Sequence, residues 1–308
     1  MNKFDIAGHR KIWFLLSLCV IIPGLILLAT RGLNFGIDFT GGSIIDLQFE
    51  QPVTIQQVRE SLTKYDLGGS TIQLEGASGT ATDASSSQNV MVRTVALEEE
   101  QRMEIMDTLK ADCGDFQVLR QEKVGATIGG ELITNAVLAL VVSWALIILY
   151  VAYRFEWRFG VAAVLALVHD ILVVLAVFAF TQRQVDSSFI AALLTIVGYS
   201  INDTIVIFDR IRENMRLHFR RGGDINQLVN TSVYQTLTRS LYTVFTVLFT
   251  TAALFFFGGE TTKDFAFALL IGFGSGAYSS IFIASPIWIM LRKHSDDQHK
   301  APAKAAEA

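Results

Sequence analysis

Two carboxylates stand where water is scarce. Asp203 follows Asn202 inside the apolar run Ser188–Phe208, and Asp170 follows His169 inside the run Phe159–Phe180. A carboxylate in hydrocarbon costs several kcal/mol unless it is neutral, paired or wetted, so by default it marks an ion or proton pathway. Arg239 opens a further run, Thr238–Phe257, and shares one helix face with Thr243, Thr246 and Thr250. That face could line a hydrated cleft with Arg239 near its mouth. Together these residue types point to proton carriage, in which Asp203 takes up and gives back a proton as a guanidinium withdraws and approaches. Each has a plainer reading. Arg239 can snorkel to lipid phosphates, and Asp203 can hold a static hydrogen bond to a neighbouring helix. His169 and Asp170 can satisfy each other, and the threonines can bond their own helix carbonyls.

Other chemistries are poorly served. Asp170 and Asp203 formally allow an intramembrane aspartyl protease, but nothing flanking either residue has the form of such a site. Gly272-Phe-Gly-Ser-Gly-Ala277 fits a loose dinucleotide fingerprint, yet it lies inside an apolar run and follows no strand. There is no Walker A lysine motif, so no means of using ATP is visible. The two cysteines, Cys19 and Cys113, fall in segments of different kind, and no Cys/His cluster suggests a metal. No cofactor is expected beyond protons as coupling ion, and no nucleic-acid partner.

The elements that must position these residues are membrane helices. Of 308 residues, 51% are hydrophobic and only 18% charged, which excludes an ordinary soluble globule. Lys3, Arg10 and Lys11 precede the run Ile12–Thr30, which is long enough to span and is read as a retained helix rather than a signal peptide. From Leu132 five further runs follow, at about Ile133–Tyr153, Phe159–Phe180, Ser188–Phe208, Thr238–Phe257 and Phe265–Leu291. Six transmembrane helices are therefore expected. Small residues Gly272, Gly276 and Ser280, spaced by four, would let the last helix pack closely.

Between the first two helices lies a polar stretch. Ser43–Phe49, Thr71–Leu74, Asn89–Val95 and Phe116–Val124 read as strands; Thr54–Thr63, with Thr54 as N-cap, and Ala96–Ala111 read as helices. The order β-α-β-β-α-β is that of a ferredoxin-like split βαβ unit. Gly76–Gln88 reads as a mobile loop. Arginines settle the topology: Arg154 and Arg158 share one short loop, Arg210, Arg212, Arg216, Arg220 and Arg221 the longest one, and Arg292 follows the last helix. The positive-inside rule then puts both termini in the cytoplasm and the soluble domain outside.

The expected organisation is a cytoplasmic N-terminus and first helix over residues 1–31, and an external α+β domain over 32–131, periplasmic on the family resemblance given below. Helices two to six follow over 132–294, with a cytoplasmic loop at about 209–237, then a tail over 295–308. Within that loop Asp224 can cap a short helix bearing Ile225, Leu228 and Val229 on one face, suited to lying along the membrane surface.

Two stretches carry a family resemblance. Gly32-Leu-Asn-Phe-Gly-Ile-Asp-Phe-Thr-Gly-Gly42 and Val197-Gly-Tyr-Ser-Ile-Asn-Asp-Thr-Ile-Val-Ile-Phe-Asp-Arg-Ile-Arg-Glu-Asn214 resemble the hallmark segments of the SecF proteins of the bacterial SecD/SecF protein-export family. Leu167-Val-His-Asp170 and Thr238-Arg-Ser240 fit the same family. The resemblance implies a half-size member of the resistance-nodulation-division superfamily in the bacterial inner membrane. It implies pairing with SecD beside the SecYEG translocon and a YajC-like accessory subunit, and use of the proton-motive force to help draw unfolded preproteins outward. On it, Asp203 and Arg239 match proton-pathway residues, with Asp170 and Asn202 as further candidates. Gly36, Asp38, Gly41 and Gly42 match the family-motif loop. Small-molecule efflux and a purely structural subunit remain the competing readings.

Overall fold

A computed structural model describes residues 5–75, 86–124, 126–218 and 223–292. Among the described residues, six helices are long and apolar enough to cross a membrane: Arg10–Arg31, Gly130–Arg154, Trp157–Thr181, Ser187–Leu217, Ile225–Phe257 and Thr262–Arg292. The chain divides into two compact units, Met1–Asn34 with Val137–Ala308, and Phe35–Ala136.

The smaller unit begins with a short helix, α2 (Ile37–Thr40), after the first membrane helix α1 (Arg10–Arg31). It continues through β1 (Gly42–Thr54), α3 (Ile55–Thr63), β2 (Thr71–Glu75), β3 (Ser86–Thr94), α4 (Glu99–Cys113) and β4 (Phe116–Val124). The four strands form one antiparallel sheet in the order β2-β3-β1-β4. Alternation along β1 sends Ile45, Leu47 and Phe49 into the core, where they meet Val90 and Val92 of β3, Val58 and Leu62 of α3, and Ile105 and Leu109 of α4. Thr54 caps α3 as its sequence suggests: its side chain accepts from the Gln57 N–H, and the Gln57 side chain accepts from the Thr54 N–H, at 3.2 and 2.9 Å. Strand β3 starts at Ser86, so the last three residues of the expected loop Gly76–Gln88 are strand; residues 76–85 lie outside the described residues.

On the other side of β1 the Asp46 carboxyl is buried with Oδ1 lacking a hydrogen-bond partner. Desolvation pushes its pKa above the usual carboxylate range, and the Glu122 charge adds to this, against the pull of Arg120 and Arg93. An acid whose folded pKa is raised binds more protons folded than unfolded, so it costs stability as pH climbs past its unfolded value. Asp46→Asn is therefore expected to raise the thermal midpoint of this unit slightly at neutral pH, with the gain vanishing below the unfolded carboxylate pKa near pH 4. A pH series of thermal unfolding checks this.

The larger unit holds α1 with α5 (Ala126–Arg154) from Val137 onward, α6 (Trp157–Thr181), α7 (Ser187–His218), α8 (Ile225–Phe257) and α9 (Glu260–Ser279), the last running on through a π-helical turn, Ser280–Ala284. Glycines let the helices touch. A Cβ on Gly24 of α1 would fall 2.0 Å from the Ala176 Cβ of α6, and one on Gly272 of α9 would fall 2.2 Å from Ile196 of α7. The Gly272–Ala277 stretch is thus helix-packing surface within α9, with no phosphate-binding turn. At one end a core forms from Phe159, Phe208, Ile211, Val233 and Trp288, with Phe159 stacked on Trp288 at 4.6 Å between ring centroids.

One expectation fails. The segment at Ile225 is no separate surface helix: α8 is continuous from Ile225 to Phe257, with Asp224 accepting from the Asn226 N–H at 2.9 Å as its cap. The physical reason is that Leu228 and Val229 are buried in the same core as Trp288 and Ile207, so protein, not lipid, covers that apolar face. Much of the expected loop 209–237 is accordingly helix. The extended ends of α7 and α8 are joined by Asn214, which donates to Ser232 and Gln235 at 2.8 Å each, and by Arg210, which donates to Gln235 at 2.6 Å.

Candidate functional site

Helix α7 carries polar side chains on two faces. Towards α6 and α9 it presents Ser200 and Thr204; towards α8 it presents Asp203.

On the first face Asp170 of α6 is fully buried and surrounded by donors. Oδ2 accepts from Ser200 at 2.7 Å and from Ser279 at 2.8 Å; Oδ1 accepts from Ser275 at 2.8 Å and meets His169 Nδ1 at 3.2 Å. All four partners donate when Nδ1 carries the imidazole hydrogen, which leaves Nε2 to accept from Ser17 of α1, 2.9 Å away. Tyr278 of α9 closes the set by donating to the Trp13 carbonyl of α1 at 2.8 Å. Asp170 is a hub binding α6, α7 and α9 together, and His169 extends it to α1 through Ser17. His169 and Asp170 do pair, but most of the Asp170 partners come from other helices.

Asp203 is arranged differently. It too is buried, 7% exposed, but only Oδ1 is held, by the Ser240 hydroxyl of α8 at 2.5 Å. Oδ2 is buried with no hydrogen-bond partner. A buried acceptor without a donor costs about 1–3 kcal/mol, so this oxygen is a place where a proton or a cation would be welcome. One position before Ser240, Arg239 lines a cleft of about 590 Å³ with Tyr150, Arg154, Ile205, Asp209, Arg210 and Gln235 among others. Arg239 is exposed and makes no ion pair among the described residues, while Arg210 is held by Glu213 and Arg212 by Asp209, at 2.6 and 2.7 Å.

The remaining candidates fall elsewhere. Asn202 is exposed, on a different face of α7 from Asp203. Thr243, Thr246 and Thr250 are exposed and bond carbonyls of their own helix, so only the Arg239 end of that stripe meets the cleft. In the family-motif loop, Gly36 precedes α2, Asp38 lies in its first turn, and Gly41 and Gly42 leave it with φ of +70° and +136°. At Gly42 a Cβ would also meet the Thr94 carbonyl oxygen at 2.5 Å. The sequence assigns no role to Ser17, Ser200, Ser240, Ser275 or Ser279, although Ser200 and Ser240 lie in the family-like stretches. The available signal was Ser275 and Ser279, one helical turn apart in an apolar run and next to the Gly272–Gly276 stripe.

Known proteins resolve the family. A family model for "Protein export membrane protein SecD/SecF, C-terminal" matches residues 104–294, and one for the "SecD/SecF GG Motif" matches residues 26–53. The chain belongs to the SecD/SecF family, in its SecF branch. It is 50% identical over 293 residues to the protein translocase subunit SecF of Acidaminococcus fermentans, covering 95% of this chain and 99% of that one. With SecF of Vibrio alginolyticus it shares 42% identity over 286 residues, 91% of this chain and 87% of the relative. Among solved structures it resembles SecDF of Thermus thermophilus, described as a translocon-associated membrane protein, with TM-score 0.83 and 37% identity over 95% of this chain. It spans 39% of that SecDF chain. In SecF terms, the GG motif contains the two left-handed glycines at the head of β1, and the larger match takes in Asp170 and Asp203.

Proposed function

We propose that this chain is the SecF half of a proton-driven export unit. It pairs with SecD beside the SecYEG translocon and a YajC-like subunit, and uses the proton-motive force to assist late translocation and periplasmic release of preproteins. The observation that carries the reading is the unequal treatment of the buried carboxylates of α6 and α7. Asp170, with four partners, holds helices together. Asp203, with one oxygen unmet and beside the cleft that Arg239 lines, is the proton carrier. Uptake of a proton at Oδ2 or approach of Arg239 relieves the same oxygen, so the two events compete, and α7 and α8 change their relation as one replaces the other. Protons serve as coupling ion, and the chain acts without hydrolytic chemistry of its own.

The strand order β2-β3-β1-β4 supports a ferredoxin-like soluble domain, and the arginines at the Arg154, Arg210 and Arg292 ends support cytoplasmic termini in the inner membrane with that domain in the periplasm. Asn202, exposed on the isolated chain, has no part in the proton step on this reading.

The test is export into inverted membrane vesicles with SecD, SecYEG and the proton gradient retained. Asp203→Asn is expected to abolish the gradient-stimulated part of export and leave the gradient-independent part within about twofold, since only the coupling step loses its proton. Unchanged gradient dependence would assign the chain a structural role instead.

A further inference from the structure

The cleft beside Arg239 has a second feature that proton carriage does not use. Its charges do not cancel. Among the lining residues Glu213 is tied to Arg210, and Asp209 to Arg212 just outside. Arg154 and Arg239 make no ion pair among the described residues; the Arg154 guanidinium has only the Phe155 ring, 5.6 Å away. Two guanidiniums without an ion-pair partner among the described residues therefore line one cleft of about 590 Å³, Arg239 feeling the Asp203 charge only at longer range.

The cleft lies where apolar helix gives way to charge. Arg154 is the last residue of α5, and Asp209 opens the charged half of α7. The flank of α5 leading to it is bare hydrocarbon: Leu146 is 60%, Leu149 67% and Tyr150 58% exposed, and Tyr150 itself lines the cleft. A ligand suited to this place is anionic at one end and apolar at the other. Arginine forks match phosphate oxygens, and a basic pocket between membrane helices is a place for a lipid headgroup.

We propose that the cleft between α5, α7 and α8 binds the headgroup of an anionic phospholipid. Arg154 and Arg239 grip the phosphate, the Gln235 side chain and the Tyr150 ring edge flank the headgroup, and the acyl chains lie along Leu146 and Leu149. The occupant is a membrane lipid rather than free phosphate, because the apolar flank is continuous with the charged cleft. The site stands on geometry and charge alone and does not require Asp203 to carry protons.

The experiment uses the full chain in nanodiscs of phosphatidylcholine containing graded phosphatidylglycerol or cardiolipin, with lipids retained on the protein counted by native mass spectrometry. Wild type is expected to retain one anionic lipid in preference to phosphatidylcholine. Arg154→Gln is expected to lower that preference about fivefold, the usual worth of one arginine at an anionic surface. Arg154→Lys, which keeps the charge and the fold, should lose less. Arg158→Gln is the control, since Arg158 is held by Glu156 at 2.7 Å and does not line the cleft; it should retain the wild-type preference. Equal loss in the Arg154 and Arg158 variants would reduce the effect to general surface charge and overturn the site. Displacement of the lipid by millimolar inorganic phosphate would overturn the lipid assignment. Absence of any retained anionic lipid on wild type would overturn both.

Discussion

Asp170→Leu is expected to lower the stability of the helix bundle by at least about 4 kcal/mol. Leucine is larger than aspartate and accepts no hydrogen bond. Ser200, Ser275 and His169 would each keep a donor aimed at a group that no longer takes it, while Ser279 could still donate to the Gly276 carbonyl at 3.2 Å. Each buried donor left unmet costs about 1–3 kcal/mol, and water cannot reach a fully buried site to relieve it. For a unit of this size the change should show as a fall of roughly 8–16 °C in the thermal midpoint. Asp170→Asn separates the hydrogen-bond role from the acid. Its carbonyl keeps two acceptor positions, and serine hydroxyls can turn to accept from the amide, so most of the stability should remain. A leucine variant that melts within about 2 °C of wild type, a shift worth under 1 kcal/mol, would show that the hub contributes little. An asparagine variant that keeps its stability yet loses gradient-driven export would move proton carriage to Asp170.

The difference between the two carboxylates explains what the sequence could and could not reveal. Six spanning helices follow from run length alone, because about 20 apolar residues are needed to cross hydrocarbon and few other segments have them. The capping box at Thr54 and the strand alternation of β1 are local, and they read correctly from neighbouring residues. Asp170 and Asp203 look alike in sequence, each behind a polar residue in an apolar run. What separates them is the company supplied by distant segments: Ser275 lies 105 positions from Asp170 and Ser240 lies 37 from Asp203. Helix periodicity shows that Ser275 and Ser279 share a face, yet it does not say which helix that face meets. The reading of Ile225–Val229 failed for the same reason. An amphipathic turn needs an apolar neighbour, and sequence does not distinguish the bilayer from the Trp288 cluster. Arg239 is legible as a charge opening an apolar run, and its neighbours Arg154 and Arg210 are not, since α5 and α7 bring them from separate parts of the chain.

Gly42→Ala should damage the other unit and leave the bundle alone. Two independent constraints meet at this residue. Its φ of +136° is a conformation that residues with a Cβ rarely adopt, and the added methyl would sit 2.5 Å from the Thr94 carbonyl oxygen. The backbone cannot yield cheaply, because Ser43 is paired with Thr94 on β3 and with Lys123 on β4. Relieving the clash would open the start of the central strand on both sides. Backbone strain of about 1–3 kcal/mol and overpacking of about 1–3 kcal/mol together give an expected loss of about 2–6 kcal/mol. Hydrogen exchange read segment by segment is the suitable measurement. Protection should fall across β1, β3 and β4 and stay at wild-type levels in α6, α7 and α9, whose packing rests on separate contacts. Gly69 supplies the comparison, having an ordinary φ and open space where a Cβ would go, so Gly69→Ala should leave exchange unchanged. Equal exchange in the two variants would mean that the second glycine of the motif is not required by the fold, and would direct attention to contacts it makes with other proteins.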